Sequence, residues 1–240
     1  MKKIALTLGL VVLALAGACV YDDSPILLQN FRTFEDDNCT PVGQDGLKAT
    51  RGRLDLAGTT SYVKWLEIAS QLQPTVQPGG TTGEQVQTTI PNQAIVDTVA
   101  LSYSSDPDLG IEDVSYPVTF SIDPATTDEP NLLLVELFPG PAGEALSNAV
   151  AVDETVTVNV SVRLMGRLRS GQAFTTNAVT YPVEVTRSPI TCASGEVVAR
   201  NGICGGPGGQ DSTPVLCCPA SNPLCADSTD GSTNLPDGGP

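Results

Sequence analysis

Between Thr155 and Leu164 the chain alternates without a break. Val156, Val158, Val160, Val162 and Leu164 fall on one side, Thr157, Asn159, Ser161 and Arg163 on the other. A period of two is the period of a strand; a helix would scatter those apolar residues around its axis. One dry face and one wet face describe a half-buried antiparallel strand. The rest of the chain must therefore pair this strand and bring a second layer over its dry face.

Further short strands surround it, each closed by turn residues. Leu54 and Leu56 alternate, as do Val99, Leu101 and Tyr103, then Val118, Phe120 and Ile122. Tyr62 to Leu72 reads as a strand on context, although Trp65, Ile68 and Leu72 also fit a helix face. Leu132 to Phe138 is an apolar run broken only by Glu136, and Pro139-Gly140-Pro141 follows as a turn. Val179, Tyr181, Val183 and Val185 return on one face. Val and Thr are frequent and good helix formers scarce, which favours β structure. The expectation is an all-β chain: an antiparallel β-sandwich, Ig-like or similar, of about 7–9 strands, spanning residues 51–188. A small barrel is the structural alternative. Trp65, the single tryptophan, reads as a core anchor. Tyr116-Pro117-Val118 and Tyr181-Pro182-Val183 echo each other. Proline lacks an N–H, so both strands should be edges or bulged at that point.

The N-terminus carries an address. Met1-Lys2-Lys3 is a positive head, Ile4 to Leu15 an apolar run too short to span a membrane, and Ala16-Gly17-Ala18 a small-residue close before Cys19. This layout resembles the lipobox of bacterial lipoproteins, with Ala16 where Leu is commoner. The resemblance implies cleavage of residues 1–18, a diacylglycerol thioether on Cys19 and an acyl chain such as palmitate on its new amine. Two or more chains make a stable anchor. Val20 follows where Asp would mark inner-membrane retention, so the resemblance places the protein at the outer membrane, on its periplasmic face or the cell surface. Residues 19–50, with Pro, Asn, Asp and Gly in their later part, read as a lipidated stem.

Six cysteines remain: Cys39, Cys192, Cys204, Cys217, Cys218 and Cys225. An even number in an exported chain reads as disulfides. Five of them lie in residues 189–226, a Gly- and Pro-rich stretch that crosslinks must order. Parity sends Cys39 to one of those five. Adjacent Cys217 and Cys218 should take different partners, because a bond between neighbours strains the peptide. No C-x₂-C pair is present, which argues against zinc. Residues 227–240 are polar and of low complexity and read as a disordered tail.

Composition excludes much chemistry. The formal net charge is -15, from 12 Lys+Arg against 27 Asp+Glu, which repels nucleic-acid phosphates. The absence of histidine removes His-based triads and the commonest metal ligand. Nucleophile-elbow, P-loop, dinucleotide and zinc-protease motifs are missing too, so the expectation is a protein that is not an enzyme. A loop of Asp106, Asp108, Glu112 and Asp113 offers hard oxygen ligands that could hold calcium. The competing reading is a solvated acidic turn. Arg163, Arg167 and Arg169 could form a basic patch, or simply the wet face of a strand.

The lipobox ending in Cys19, the Gly52-Arg53-Leu54-Asp55-Leu56 and Tyr62 opening of the sandwich, and the late cysteines together resemble uncharacterised outer-membrane lipoproteins of the myxobacterial type. That likeness brings no assigned activity. The expected function is a non-catalytic, lipid-anchored envelope protein, structural or adhesive, offering sandwich loops to a protein or glycan partner. A glycan-binding module, with or without calcium, is the alternative; a hydrolase using paired carboxylates is the third. The expected cofactor list holds nothing beyond the lipid on Cys19 and the conditional calcium.

Overall fold

The computed structural model describes residues 24–35, 40–41, 48–73, 75–76, 89–90, 92–124, 130–199, 209–211 and 215–221. The expected leader at 1–18 and Cys19, the expected tail at 227–240, and Cys39, Cys204 and Cys225 lie outside the described residues.

In chain order the first strands are β1 (Ile26–Arg32), β2 (Phe34–Glu35), β3 (Thr40–Pro41), β4 (Lys48–Ala49), β5 (Gly52–Asp55) and β6 (Val63–Ser70). Then come β7 (Thr75–Val76), β8 (Thr89–Ile90), β9 (Ala94–Ser105), β10 (Val114–Ile122) and β11 (Asn131–Glu136). Helix α1 (Gly140–Ala149) precedes β12 (Thr155–Leu168), β13 (Ala173–Thr175), β14 (Val179–Thr186), β15 (Glu196–Val198) and β16 (Cys217–Pro219). A smaller sheet runs β11-β6-β1-β4, and a larger one runs β10-β9-β12-β14-β5 with β13 also on β12. Two-residue ladders join β2 to β3 and β7 to β8.

The period-two run is β12, at the centre of the larger sheet. Val160 stands opposite Tyr103 of β9 on one side and Tyr181 of β14 on the other. Val158, Val160, Val162 and Leu164 are fully buried, each at 0% exposure. Leu66 and Ile68 of β6, Phe31 of β1 and Val135 of β11 join them in one core. Rings bridge the layers: Phe31 and Tyr181 lie 4.7 Å apart between centroids, Tyr103 and Phe138 5.8 Å. The fold is a curled, sandwich-like β structure.

Four differences from the sequence reading have physical causes. The sandwich takes in part of the expected stem, because β1 is an interior strand between β6 and β4. Its register slips between Leu28 and Asn30, so Ile26, Leu28 and Phe31 all face the core without keeping a period of two. The expected turn at Pro139-Gly140-Pro141 instead starts α1. Proline in a first helical turn lacks only an N–H that would be unpaired anyway. Ala142 and Leu146, four apart, are buried, and the Arg187 guanidinium donates to the Ser147 carbonyl and, at 2.9 Å, to its Oγ. Next, β14 is no edge strand. Pro182 stands opposite Asn159, one residue before β14 begins to pair with β5 at Val183. Pro117 does sit on edge strand β10, where the register shifts before Phe120. Finally, the β14–β5 pairing is parallel, so the larger sheet is mixed rather than purely antiparallel.

Candidate functional site

The acidic loop joins β9 to β10, and two of its carboxylates accept from nearby backbone. Asp108 Oδ1 accepts from the Gly110 N–H at 2.9 Å, and Asp113 Oδ1 from the Tyr103 N–H at 3.4 Å. Among the described residues no three Cys, Asp or Glu side chains stand where they could share a metal ion, so Asp106, Asp108, Glu112 and Asp113 are not brought together as a calcium set. Arg163, Arg167 and Arg169 are exposed. Arg167 Nε is 4.0 Å from Asp97 Oδ2, with both side chains at least half exposed, a pairing worth little. Trp65 is not a core anchor: it is half-buried on the outer face of β6, between the inward Lys64 and Leu66. Cys192 is bonded to Cys217 with Cα atoms 5.5 Å apart, and Cys218 is disulfide-bonded as well, so the neighbours take different partners.

The most concentrated polar chemistry lies where the chain returns after the sandwich. Gly209, with φ of 96°, brings its carbonyl to the Asp55 N–H at 2.6 Å. A Cβ there would meet the Asp55 carbonyl at 2.6 Å, so the approach requires glycine. Gln210 pairs with Leu54 and exchanges hydrogen bonds with the Val63 backbone, its Nε2 donating to the carbonyl at 2.8 Å. Asp211 follows at φ 55° and binds Arg53 through N–H to carbonyl at 2.7 Å. Residues 209–211 therefore bond to the rim of the sandwich, at Leu54, Asp55, Arg53 and Val63.

Asp211 meets a lysine inside the fold. Lys64 is 1% exposed and its Nζ lies 2.5 Å from Asp211 Oδ2. The Phe34 and Tyr62 rings face Nζ at 5.5 and 5.7 Å. Tyr62 Oη donates to Asp211 Oδ1 at 2.6 Å and lies 3.4 Å from Tyr181 Oη. Burial pushes both phenols well above their ordinary value, with the Asp211 carboxylate adding to the rise at each. They stay protonated and can donate. Sequence reasoning passed over this cluster, yet one signal was present. Tyr62, Lys64, Leu66 and Ile68 share a face at period two, so an apolar face carries a lysine that needs a buried partner. A second buried pair, Arg32 with Glu67, is bidentate at 3.0 and 2.9 Å across β1 and β6.

The wet face of the larger sheet carries short polar side chains. Across its strands Ser102, Ser161 and Thr180 form one row, and Ser104, Asn159 and Pro182 the next. Ser161 Oγ and Thr180 Oγ1 are 2.7 Å apart. Charges stand toward its margins: Arg163 beyond one row, Glu184 beside Arg53 beyond the other. A cavity of about 420 Å³ lies elsewhere, lined by Ser24, Pro25, Leu168, Gln172, Phe174 and Thr175 among others, and no charged side chain lines it. Comparison with family models, curated proteins and solved structures found no match for the chain.

Proposed function

We propose that this chain is a non-catalytic, lipid-anchored protein of the bacterial outer membrane, and that its sandwich presents a polar face to an envelope partner. The observation that carries the reading is the wet face of β9, β12 and β14. It is exposed at Ser102, Ser104 and Thr180 and half-buried at Asn159, Ser161 and Pro182, short in side chain and free of charge over these two rows. Short hydroxyls and an amide can donate and accept hydrogen bonds to a second surface that approaches closely. Buried Arg32 is paired with buried Glu67, and buried Lys64 meets the partly exposed Asp211, so neither buried cation stands open to a substrate. The described cavity holds no carboxylate, so the hydrolase reading gains no support from it. The Cys192–Cys217 bond supports an oxidising, exported setting, in keeping with the leader and Cys19.

Two experiments test the proposal. The full chain expressed in a Gram-negative host should fractionate with the outer membrane, and Cys19→Ser should release it to the soluble periplasm. A wild-type chain found free of membranes would refute the anchor. For the surface, Ser161→Arg with Thr180→Arg should abolish retention of the soluble domain on isolated cell envelopes while leaving its melting temperature near wild type. Retention unchanged by that pair but lost on Asp108→Ala would move the contact to the β9–β10 loop.

A further inference from the structure

We infer that Lys64 and Asp211 condense into an intramolecular amide, which locks the returning segment covalently to the sandwich. Three features of the cluster carry this. First, the two groups are in direct contact inside rigid elements: Lys64 on β6 and Asp211 in a backbone tied to Arg53 on β5. Such fixed contact replaces a bimolecular encounter with an intramolecular one of very high effective concentration. Second, the two carboxylate oxygens are differentiated. Oδ1 receives the Tyr62 hydroxyl at 2.6 Å and the Arg53 N–H at 3.3 Å, whereas Oδ2 faces the amine. Two donors on one oxygen polarise the carbonyl and hold the negative charge that a tetrahedral intermediate would place on it. Third, the amine is dry, at 1% exposure between the faces of Phe34 and Tyr62. The Asp211 side chain is 32% exposed, so water released on condensation has a path to solvent, while the hydration withheld from the amine disfavours a lasting ammonium and favours the neutral amide.

The step balances without a co-reactant. A proton passes from the ammonium to Oδ2, and the freed Nζ lone pair attacks Cγ. The C–O bond to Oδ2 breaks, a second proton from nitrogen reaches Oδ2, and Oδ2 leaves as water. Nζ keeps one hydrogen, Oδ1 becomes the amide oxygen, and Tyr62 retains its proton throughout. Nothing is oxidised or reduced.

The test is peptide mapping of the full chain after reduction, alkylation and trypsin. The expected result is a branched peptide joining the Lys64 and Asp211 segments, lighter than their sum by one water, with no cleavage after Lys64. Lys64→Arg and Asp211→Ala should each give separate linear peptides. Asp211→Asn should regenerate the same branched product, with ammonia leaving in place of water, which shows chemistry at that carbon rather than mere packing. Tyr62→Phe, which keeps the ring and removes the donor, should leave a mixture of linked and linear forms. Linear peptides from the wild-type chain, with Lys64 cleaved by trypsin and its amine open to acylation after denaturation, would overturn the inference. That measurement needs no variant to fold.

Discussion

Gly52 shows how little freedom a single position has in the rim of this sandwich. A Cβ built there would meet the Tyr62 hydroxyl at 1.9 Å and the Tyr181 ring at 2.9 Å. Gly52→Ala must therefore displace the phenol that donates to Asp211, and it should cost about 1–3 kcal/mol, the range for overpacking. Thermal melts of the two proteins check this; an unchanged midpoint would mean that Tyr62 relocates freely. The tyrosines give a pH prediction. Tyr62, Tyr103, Tyr116 and Tyr181 are all pushed above their ordinary value, chiefly by burial, and Tyr116 to about 12. The folded chain thus prefers each phenol neutral. That stabilisation is complete below about pH 10, the unfolded value, and is lost as pH rises through the folded values. Stability should be insensitive to these groups near neutrality and fall steeply above that point. Tyrosinate absorbance should report them only as the fold opens. Four of the five tyrosines belong to this set, so a titration in which most ionise at the ordinary value without unfolding would contradict it.

At the scale of elements, what was legible in the sequence tracks how regular each burial pattern is. β12 keeps strict alternation and is buried on one face along its length, so its residues predict its structure. The same strand supplies a contrast. Leu164→Ala should cost about 2–5 kcal/mol by opening a cavity in the core, whereas Thr157→Ala on the wet face should stay within about 0.5 kcal/mol. Equal effects in denaturant unfolding would mean that the wet face is covered by something structural. β6 was ambiguous because Val63, Lys64, Leu66, Glu67 and Ile68 are all buried, which erases its alternation. Helix α1 was hidden by the residues that begin it: Pro139, Gly140 and Pro141 punctuate a turn as readily as a first helical turn. The antiparallel pair β15 and β16 buries little of its own, and the Cys192–Cys217 bond joins the segment before β15 to β16. That bond closes a separation of 25 residues, and its removal by Cys192→Ser with Cys217→Ser should loosen this strand pair by about 3.5 kcal/mol on loop-entropy grounds. Amide exchange should rise in β15 and β16 and stay slow in β12; uniform exchange would show that the bond supports the whole fold.

At the scale of the whole molecule, the boundaries drawn from sequence miss what closure requires. Local patterns mark strands, but which strands share a sheet depends on pairings between distant segments. Arg53 stands opposite Glu184 in the parallel ladder that β5 makes with β14, and Gln210 returns to pair with Leu54. Asn177 binds both backbone groups of Leu28, its Oδ1 accepting at 2.8 Å and its Nδ2 donating at 3.0 Å. None of these partners is signalled by its own neighbours in sequence. The proposed site divides in the same way. The wet face follows from the alternation of β12, while the Lys64–Asp211 contact exists only because residues 209–211 come back to the rim. A chain restricted to 51–188, the span that composition marks as the sandwich, would lack β1, β4 and this returning segment. It would lose Ile26, Leu28 and Phe31 from the core, each at most 4% exposed. Fully buried apolar side chains contribute about 1.5–3 kcal/mol each, so the deletion removes about 5–9 kcal/mol, comparable with the 5–15 kcal/mol that holds a typical domain. It would also leave β6 with an open edge and Lys64 without its carboxylate. The 51–188 chain should therefore show no cooperative melting transition, whereas a chain of residues 24–221 should melt as one unit. A cooperative transition in the shorter chain would make β1 and the returning segment additions to the fold. Its absence, with folding in the longer chain, makes them part of the same cooperative structure.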